Sequence, residues 1–499
     1  MPHDVVIVGA GPVGLMLACE LRLAGTAVLV LEDRAEPNAH APGVALNGGV
    51  VELLEMRGLM DACRSDGFEF PMAHFAHLWL NPAQLAARYP YNFAMPHSRL
   101  IHHLTERARS LGADLRYEHR VRGVDGSVDL DRVAVRVVGP DGEVTIHARY
   151  LVGCDGVNSV VRQAVGVGFV GDEQPFHGTV SDFAVGPDSV LNQHLGAKEY
   201  PAGLLAVSPI GPGMVRVMTG EFDVEPPSRD GAPPLAEIQA AVRRLAGVEF
   251  TGDEPTWSAR WFNVTRVAER YRVGRVFLAG DGAHTHFPLG GQALSTGMDD
   301  AVNLGWKLAA DLAGHAPDGL LDTYETERRP IAQRACLTVR AQVALLHPLT
   351  ELREVVAELI RFPDVNEYFV KMVGGTDTLI PLGDDSEGED VHPLRGRRLP
   401  GVASAVRSVP ELAEAWSKGR GVLLDLHDEP EDGRLDLTGW TDRVSLVRAK
   451  GLSDIDAEAV LLRPDGRVVW AAHRLDDGKG LAEVLLRHFG PPTGVGAAS

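Results

Sequence analysis

A chain of 499 residues with 45% hydrophobic and 23% charged residues has the make-up of a soluble globular protein of roughly two to four domains. Its formal charge of −20 would repel a polyanion, which argues against a nucleic-acid partner. No apolar run approaches the roughly 20 residues that span a bilayer, no basic segment precedes the first apolar run Val5–Val8, and Cys19, Cys63, Cys154 and Cys336 are too far apart for a disulfide framework or zinc motif, so a cytoplasmic protein is expected.

Asp4-Val5-Val6-Ile7-Val8 has the apolar continuity of a buried strand, and Leu15 to Ala24 reads as a helix stopped by Gly25. Val28 to Leu31 is the next strand, so the chain opens on a βαβ unit. Gly9-x-Gly11-x-x-Gly14 joins its first strand to its helix. The first glycine permits a tight turn, the second lets a pyrophosphate approach the backbone, and the third lets helix pack on strand. The phosphate then meets the positive end of the helix. Glu32 ends the second strand, where its carboxylate can accept hydrogen bonds from a ribose. The pattern points to dinucleotide binding without separating FAD from NAD.

Further on, Ser98 can cap a helix through Leu111, with Gly112 as its stop. Val133–Val138, Pro-Asp-Gly and Val144–Ala148 form a hairpin pattern, and Leu151-Val152-Gly153 is a further short strand. Cys154-Asp155-Gly156-Val157-Asn158-Ser159-Val160-Val161-Arg162 then leads from that strand into a helix. Residues 170–270 mix short β-like runs with Pro and Gly and are expected to cover a substrate. In Gly274-Arg275-Val276-Phe277-Leu278-Ala279-Gly280-Asp281 an aspartate stands at a strand end. An acid there can hold the ribityl hydroxyls of a flavin, and the amides of the next helix can hold negative charge on a reduced flavin ring. Helical spacing follows over 298–312 and 320–346. Residues 381–396 read as a linker. Runs at 421–424, 444–447, 459–462 and 468–470, the last two joined by Arg463-Pro464-Asp465-Gly466, outline strands of a small α/β domain.

The three motifs in this order resemble the FAD-dependent aromatic hydroxylases of the p-hydroxybenzoate hydroxylase type, and among them the bacterial hydroxylases of aromatic polyketides. The resemblance runs over almost the whole chain. It implies an α/β fold: a Rossmann-type FAD-binding domain in two parts (1–170 and 271–380), an interleaved β-rich substrate domain (171–270) and a C-terminal thioredoxin-like domain (395–499). It implies that Gly9, Gly11, Pro12, Gly14, Glu32, Asp33 and Arg34 bind the ADP half of FAD. Val121 would touch the adenine through its backbone, and Asp155 belongs to a motif tied to both FAD and NAD(P)H. Gly280 and Asp281 would hold the ribityl-pyrophosphate, and His97 stands where a glutamine usually meets the flavin chain. Pro288, Gly290, Gly291, Gln292, Ala293 and Leu294 would line the flavin ring. Asp300-Ala301-Val302-Asn303-Leu304-Gly305-Trp306-Lys307-Leu308 matches the family's helix.

The chain departs from the pattern at Pro42 and Gly49, where arginines are usual, and the loop Gly290-Gly291-Gln292-Ala293-Leu294-Ser295 replaces Gly-Gly-Gln-Gly-x-Asn. The C-terminal domain holds no cysteine, which removes disulfide exchange and leaves packing or an oligomer contact. The implied activity is NAD(P)H- and O2-dependent hydroxylation of a polycyclic phenol, with no side chain as covalent nucleophile, no catalytic base assigned and no metal. Other flavin redox chemistry, Baeyer–Villiger insertion or dehydrogenation, shares every motif. A non-oxygenase that keeps the fold for cyclisation or binding is the other alternative, and Pro42, Gly49 and His97 point towards it. A homodimer is possible. Trp79, Phe183, Phe222, Trp257, Trp261 and Phe262 can line a flat apolar pocket, although core packing is the ordinary fate of each. His284 and His286 lack the partners of a zinc site, and His102-His103 reads as solvated.

Overall fold

The computed structural model describes residues 3–41, 43–82, 92–125, 131–225, 228–347, 351–383, 392–427, 435–449, 452, 455–474 and 480–493. In chain order the elements used below are β1 (His3–Val8), α1 (Pro12–Leu23), β2 (Val28–Leu31), α2 (Gly48–Met56), α3 (His97–Ser110), β3 (Asp114–Arg116), β4 (Arg120–Asp125), β5 (Val133–Gly139), β6 (Gly142–Gly153) and α4 (Val160–Ala164). Then come β7 (Phe169–Ala184), β8 (Gly196–Tyr200), β9 (Gly203–Gly211), β10 (Met214–Phe222), β11 (Trp257–Ala268), β12 (Arg272–Val273), β13 (Val276–Leu278) and β14 (His284–Thr285). The helices α5 (Gln292–Leu312), α6 (Thr323–Leu346) and α7 (Pro363–Gly374) precede β15 (Gly421–Asp425), β16 (Val444–Arg448), β17 (Ala459–Leu462) and β18 (Val468–Ala472).

The first sheet has the order β12-β13-β6-β1-β2-β3, with β5 paired to β6 and β4 to β5. Its centre is parallel: β1 lies between β2 and β6, and β6 continues to β13. Val5, Val6 and Ile7 on β1 are fully buried, as a parallel strand covered on both faces must be. The hairpin arm and the short strand expected at 151–153 are one strand, β6. Its first half pairs antiparallel with β5 and its second half parallel with β1 and β13. Ser98 does not cap α3, which starts at His97 after Pro96 and has no side-chain cap.

The region 170–270 holds longer strands than its short β-like runs suggest, together with a helix at Leu235–Ala246. β7 runs 16 residues and β11 runs 12, paired side by side with a register shift between Gln174 and His177. The antiparallel order is β8-β9-β10-β7-β11-β14, so β14 ties this sheet to the chain leaving β13. The third sheet, β16-β15-β17-β18, is mixed. Of the expected linker 381–396, residues 384–391 lie outside the described residues.

The turn between β17 and β18 is not a solvated loop. Arg463, Asp465 and Arg467 are buried against α5 and α6. Both Glu327 oxygens accept from Arg463 at 2.8 Å, and Oε2 also accepts from Lys307 at 2.9 Å and Asn303 at 2.7 Å. Burial alone would raise the Glu327 carboxyl, but Arg463 and Lys307 hold it well below its ordinary value. Burial pushes Lys307 down to about 8, against the pull of Glu327. Arg57 pairs with Glu20 at 2.7 and 2.8 Å and also donates to Pro464 O at 2.7 Å. Buried charges persist only when paired in this way. No helix among the described residues is long and apolar enough to cross a membrane.

Candidate active site

The glycine turn after β1 is shaped by contact. A Cβ on Gly9, at φ +104°, would stand 2.4 Å from Cys154 O, and one on Gly14 would stand 2.1 Å from Gly9 O. Gly11 faces open space, and Pro12 opens α1 with no side-chain cap over the helix amides. The arrangement leaves room and donors for a phosphate, as that spacing requires. Glu32 is buried; its oxygens accept from Ala10 N at 2.9 Å and Arg34 N at 3.1 Å. Burial raises its carboxyl above the ordinary value, against the Ala10 amide. Arg34 Nη1 adds a 3.1 Å contact to Glu32, and Asp33 is 3.6 Å from Arg120. His119 N donates to Glu32 O at 2.8 Å, which brings β4 and its buried Val121 beside the Glu32 segment.

Asp155 does not point into an open cleft. It accepts from Val161 N at 3.2 Å and from Oγ of Ser159 at 2.5 Å, the residue that caps α4 through Arg162 N, and so braces the start of that helix. Arg162 then reaches across to Gly282 O at 2.9 Å while its guanidinium stacks 3.8 Å over Phe169. The second motif thus braces the third.

Asp281 follows Gly280, at φ +59°, in the turn after β13. It is exposed and has no hydrogen-bond partner among the described residues. The surrounding protein raises its carboxyl above the ordinary value by desolvation. An accessible acid with nothing to accept from suits a ligand that brings hydroxyl donors. The turn is held from behind: Asp300 accepts from Gly280 N at 3.2 Å, His284 Nε2 at 2.7 Å and Arg328 Nε at 2.8 Å.

Pro288 is exposed, and Gly290 and Gly291 both take left-handed φ, 75° and 71°. α5 starts at Gln292 without a side-chain cap, so the amides of Gln292, Ala293 and Leu294 are available at its positive end. The Gln292 side chain turns inward, donating to Met372 O at 3.1 Å and accepting from Thr338 Oγ1 at 2.9 Å. Ser295 is tied to Asn47 at 3.0 Å, and Asn47 also caps α2 through Val50 N and reaches Val373 O at 3.2 Å. Gly49 sits where a Cβ would be 3.0 Å from both Gly374 O and Gly375 O, which leaves an arginine no room without movement. His97 Nε2 donates to Ala45 O at 2.9 Å, and its ring fills the space a Cβ on Gly43 would need. Pro42 lies outside the described residues.

The six aromatic residues singled out by sequence do not converge. Phe222 and Trp261 join Phe176 and Phe287, which sequence reading missed: Phe176 lies 4.1 Å from Phe222 and 4.9 Å from Trp261, and Trp261 lies 4.6 Å from Phe287. Phe183 packs on Phe250 elsewhere, Trp257 stacks on His40, Phe262 on His177, and Trp79 is 56% exposed. His103 is not simply solvated, since it pairs with Asp66 at 2.6 Å. His286 Nδ1 donates to Phe287 O at 3.0 Å, and burial lowers the ring to about 4. Among the described residues no cluster could hold a metal.

A cavity lined by Gln292, Thr296, Arg328, Thr338 and Met372 lies on the face of α5 turned away from Gly297, which packs on Gly280. Asp281 is not among the residues that line it.

Residues 2–338 match the family described as an FAD binding domain, and residues 392–492 match the family described as the aromatic-ring hydroxylase C-terminal domain. The chain is 46% identical to a dialkyldecalin synthase of Streptomyces rugosporus, over 98% of this chain and 100% of that protein. It is 39% identical to a 12-dehydrotetracycline 5-monooxygenase/anhydrotetracycline 6-monooxygenase of Streptomyces rimosus, over 99% of this chain and 100% of that one. The structure of a Diels-Alderase from the biosynthetic pathway of pyrroindomycins superposes with a TM-score of 0.85 at 44% identity, covering 98% of this chain and 99% of that one.

Proposed function

The chain belongs to the FAD-dependent aromatic-ring hydroxylases, and from that premise we propose that it is an NAD(P)H-using monooxygenase that hydroxylates a polycyclic, polyketide-type phenol. The observation that carries this reading is the pairing of Asp281, exposed and unpartnered among the described residues, with the uncapped start of α5 at Gln292; the buried cluster of Phe176, Phe222, Trp261 and Phe287 packs behind the loop that joins them. An acid and helix amides so placed receive the hydroxyls and the negative charge of a bound flavin, and the apolar cluster behind them keeps water away.

The residues present fit FAD. Gly9, Gly11, Pro12 and Gly14 would admit its pyrophosphate, Glu32 would accept from the adenosine ribose, and Asp281 from the ribityl hydroxyls. The amides of Gln292, Ala293 and Leu294 would stabilise negative charge at the flavin ring. When bound, FAD supplies the redox and oxygen-transfer chemistry, with a nicotinamide as reductant and O2 as oxidant. The protein positions the ring to be hydroxylated and excludes solvent. No side chain needs to act as a covalent nucleophile. The four thiols, all free, suit a cytoplasmic setting. A homodimer is compatible with this reading.

A second reading is cyclisation without redox change, favoured by the 46% identity to a dialkyldecalin synthase and by Gly49, which stands where arginine is usual and whose Cβ position is tight against Gly374 O and Gly375 O. One experiment separates the two. Candidate phenols are incubated with protein, NADPH and labelled O2, and in parallel anaerobically without nicotinamide. Hydroxylation predicts substrate-stimulated NADPH oxidation and one labelled oxygen atom in the product. Full turnover of a substrate in the anaerobic arm would replace it with cyclisation while leaving the FAD site unaffected.

A further inference from the structure

Asp281 has no partner of its own among the described residues, so its place is set by the backbone of the Gly280–Gly282 turn. That turn is gripped by Asp300, which takes Gly280 N, His284 and Arg328. Arg328 extends the contact: Nη2 donates to Thr296 O at 3.1 Å and Nη1 lies 3.8 Å from Asp299. Asp299, the neighbour of Asp300 on α5, turns to the C-terminal domain. There Arg467 Nη2 donates to it at 2.8 Å and Arg398 donates to its other oxygen. Arg398 and Arg467 are 2% and 3% exposed, and burial is the main force lowering Arg467, to about 10. A continuous run of buried charged contacts therefore joins the small domain to the amide that begins the flavin-side turn. Removing Arg467 would take one of the three guanidinium groups from Asp299 and leave Arg398 and Arg328 to re-settle around it, so the displacement would pass along the run.

We propose that Arg398 and Arg467 are positioning residues for the cofactor site: acting through Asp299, Arg328 and Asp300, they hold the Gly280–Gly282 turn, and with it Asp281, where the cofactor's sugar chain is received. This gives the cysteine-free C-terminal domain a task in the redox site without redox chemistry of its own. It rests on Asp281 being a ligand of FAD, and the test is arranged to tell the two apart.

Apo-protein is titrated with FAD for wild type, Arg467→Met, Asp281→Ala and the double variant, with thermal midpoints measured alongside. Arg467→Met is expected to weaken FAD about tenfold in the wild-type background and less than about twofold when Asp281 is already Ala, because coupled residues are not additive. Arg467→Lys should restore most of the affinity. Val422→Ala, in the core of the same domain but outside the charged run, should lower the thermal midpoint and leave FAD affinity unchanged. An equal tenfold loss in both Asp281 backgrounds, or no loss in Arg467→Met, overturns the proposal. If Arg467→Met does not accumulate as folded protein, Asp299→Asn carries the same cycle. Unchanged affinity in Asp281→Ala alone would instead overturn the ligand assignment beneath it.

Discussion

At the scale of single residues, the two acids proposed to receive the cofactor differ in their surroundings. Asp281 is accessible and unpartnered among the described residues, whereas Glu32 already holds the Ala10 and Arg34 amides. Charged hydrogen bonds contribute roughly 1.5–3 kcal/mol, so Asp281→Ala should weaken FAD by about ten- to a hundredfold. Glu32→Ala should weaken it comparably and should also loosen the glycine turn, which Glu32→Gln would keep only in part, since its single amide oxygen can accept from Ala10 N or from Arg34 N but not both. Fluorescence titration of the apo-variants measures both; affinities equal to wild type in both alanine variants would reject the assignment. Gly9, Gly14, Glu32 and Asp281 were legible because a glycine without room for a Cβ and an acid at a strand end leave local marks. Asn47 was partly legible, since an Asn before Gly48-Gly49-Val50-Val51 satisfies the N-cap rule. Its bonds to Ser295 and Val373 were not, because they span 248 and 326 positions of chain. The same holds for Arg328 and for Phe287, whose partners are assembled only by the fold.

At the scale of elements, the helix pair α1 and α5 packs at a glycine. A Cβ on Gly305 would lie 2.5 Å from Glu20 Cβ, and Glu20 is locked by Arg57. Gly305→Ala should therefore cost about 1–3 kcal/mol by overpacking. A urea denaturation midpoint matching wild type would show that the helices can separate without penalty. The βαβ unit and all four C-terminal strands were readable from apolar runs, because their neighbours never change along the strand. The misreadings share a cause. β6 changes partners midway, so its pattern shifts from an exposed first half to continuous burial and looks like two strands. β7 carries a register shift beside Pro175, which interrupts its alternation and makes one long strand look like several short ones.

At the scale of the whole molecule, acid should unfold the protein in two stages. Burial lowers His286 to about 4 and His488 to about 3 from an ordinary 6.5. Between those limits the unfolded chain binds protons that the folded one refuses. Stability present above pH 6.5 is therefore lost as pH falls, by about 1.4 kcal/mol for every tenfold drop in a ring's proton affinity on folding. Glu327, held low mainly by Arg463 and Lys307 against its burial, adds a loss only below its ordinary 4.5. Urea midpoints from pH 7 to 4 should fall from about 6.5 downward, and His488→Leu should flatten the first stage; a midpoint constant to pH 5 would contradict this. The buried Arg463–Arg467 turn has a consequence for the order in which the molecule is made. Ribosomes deliver α5 and α6 long before residue 463, so Lys307 and Glu327 must wait for the partner that completes their pairing. A nascent chain ending before β17 has its nucleotide-binding strands but an unfinished ionic seam behind the Gly280–Gly282 turn. Cofactor loading should thus follow release of the finished chain, and a fragment ending near residue 380 should capture far less FAD than the intact protein.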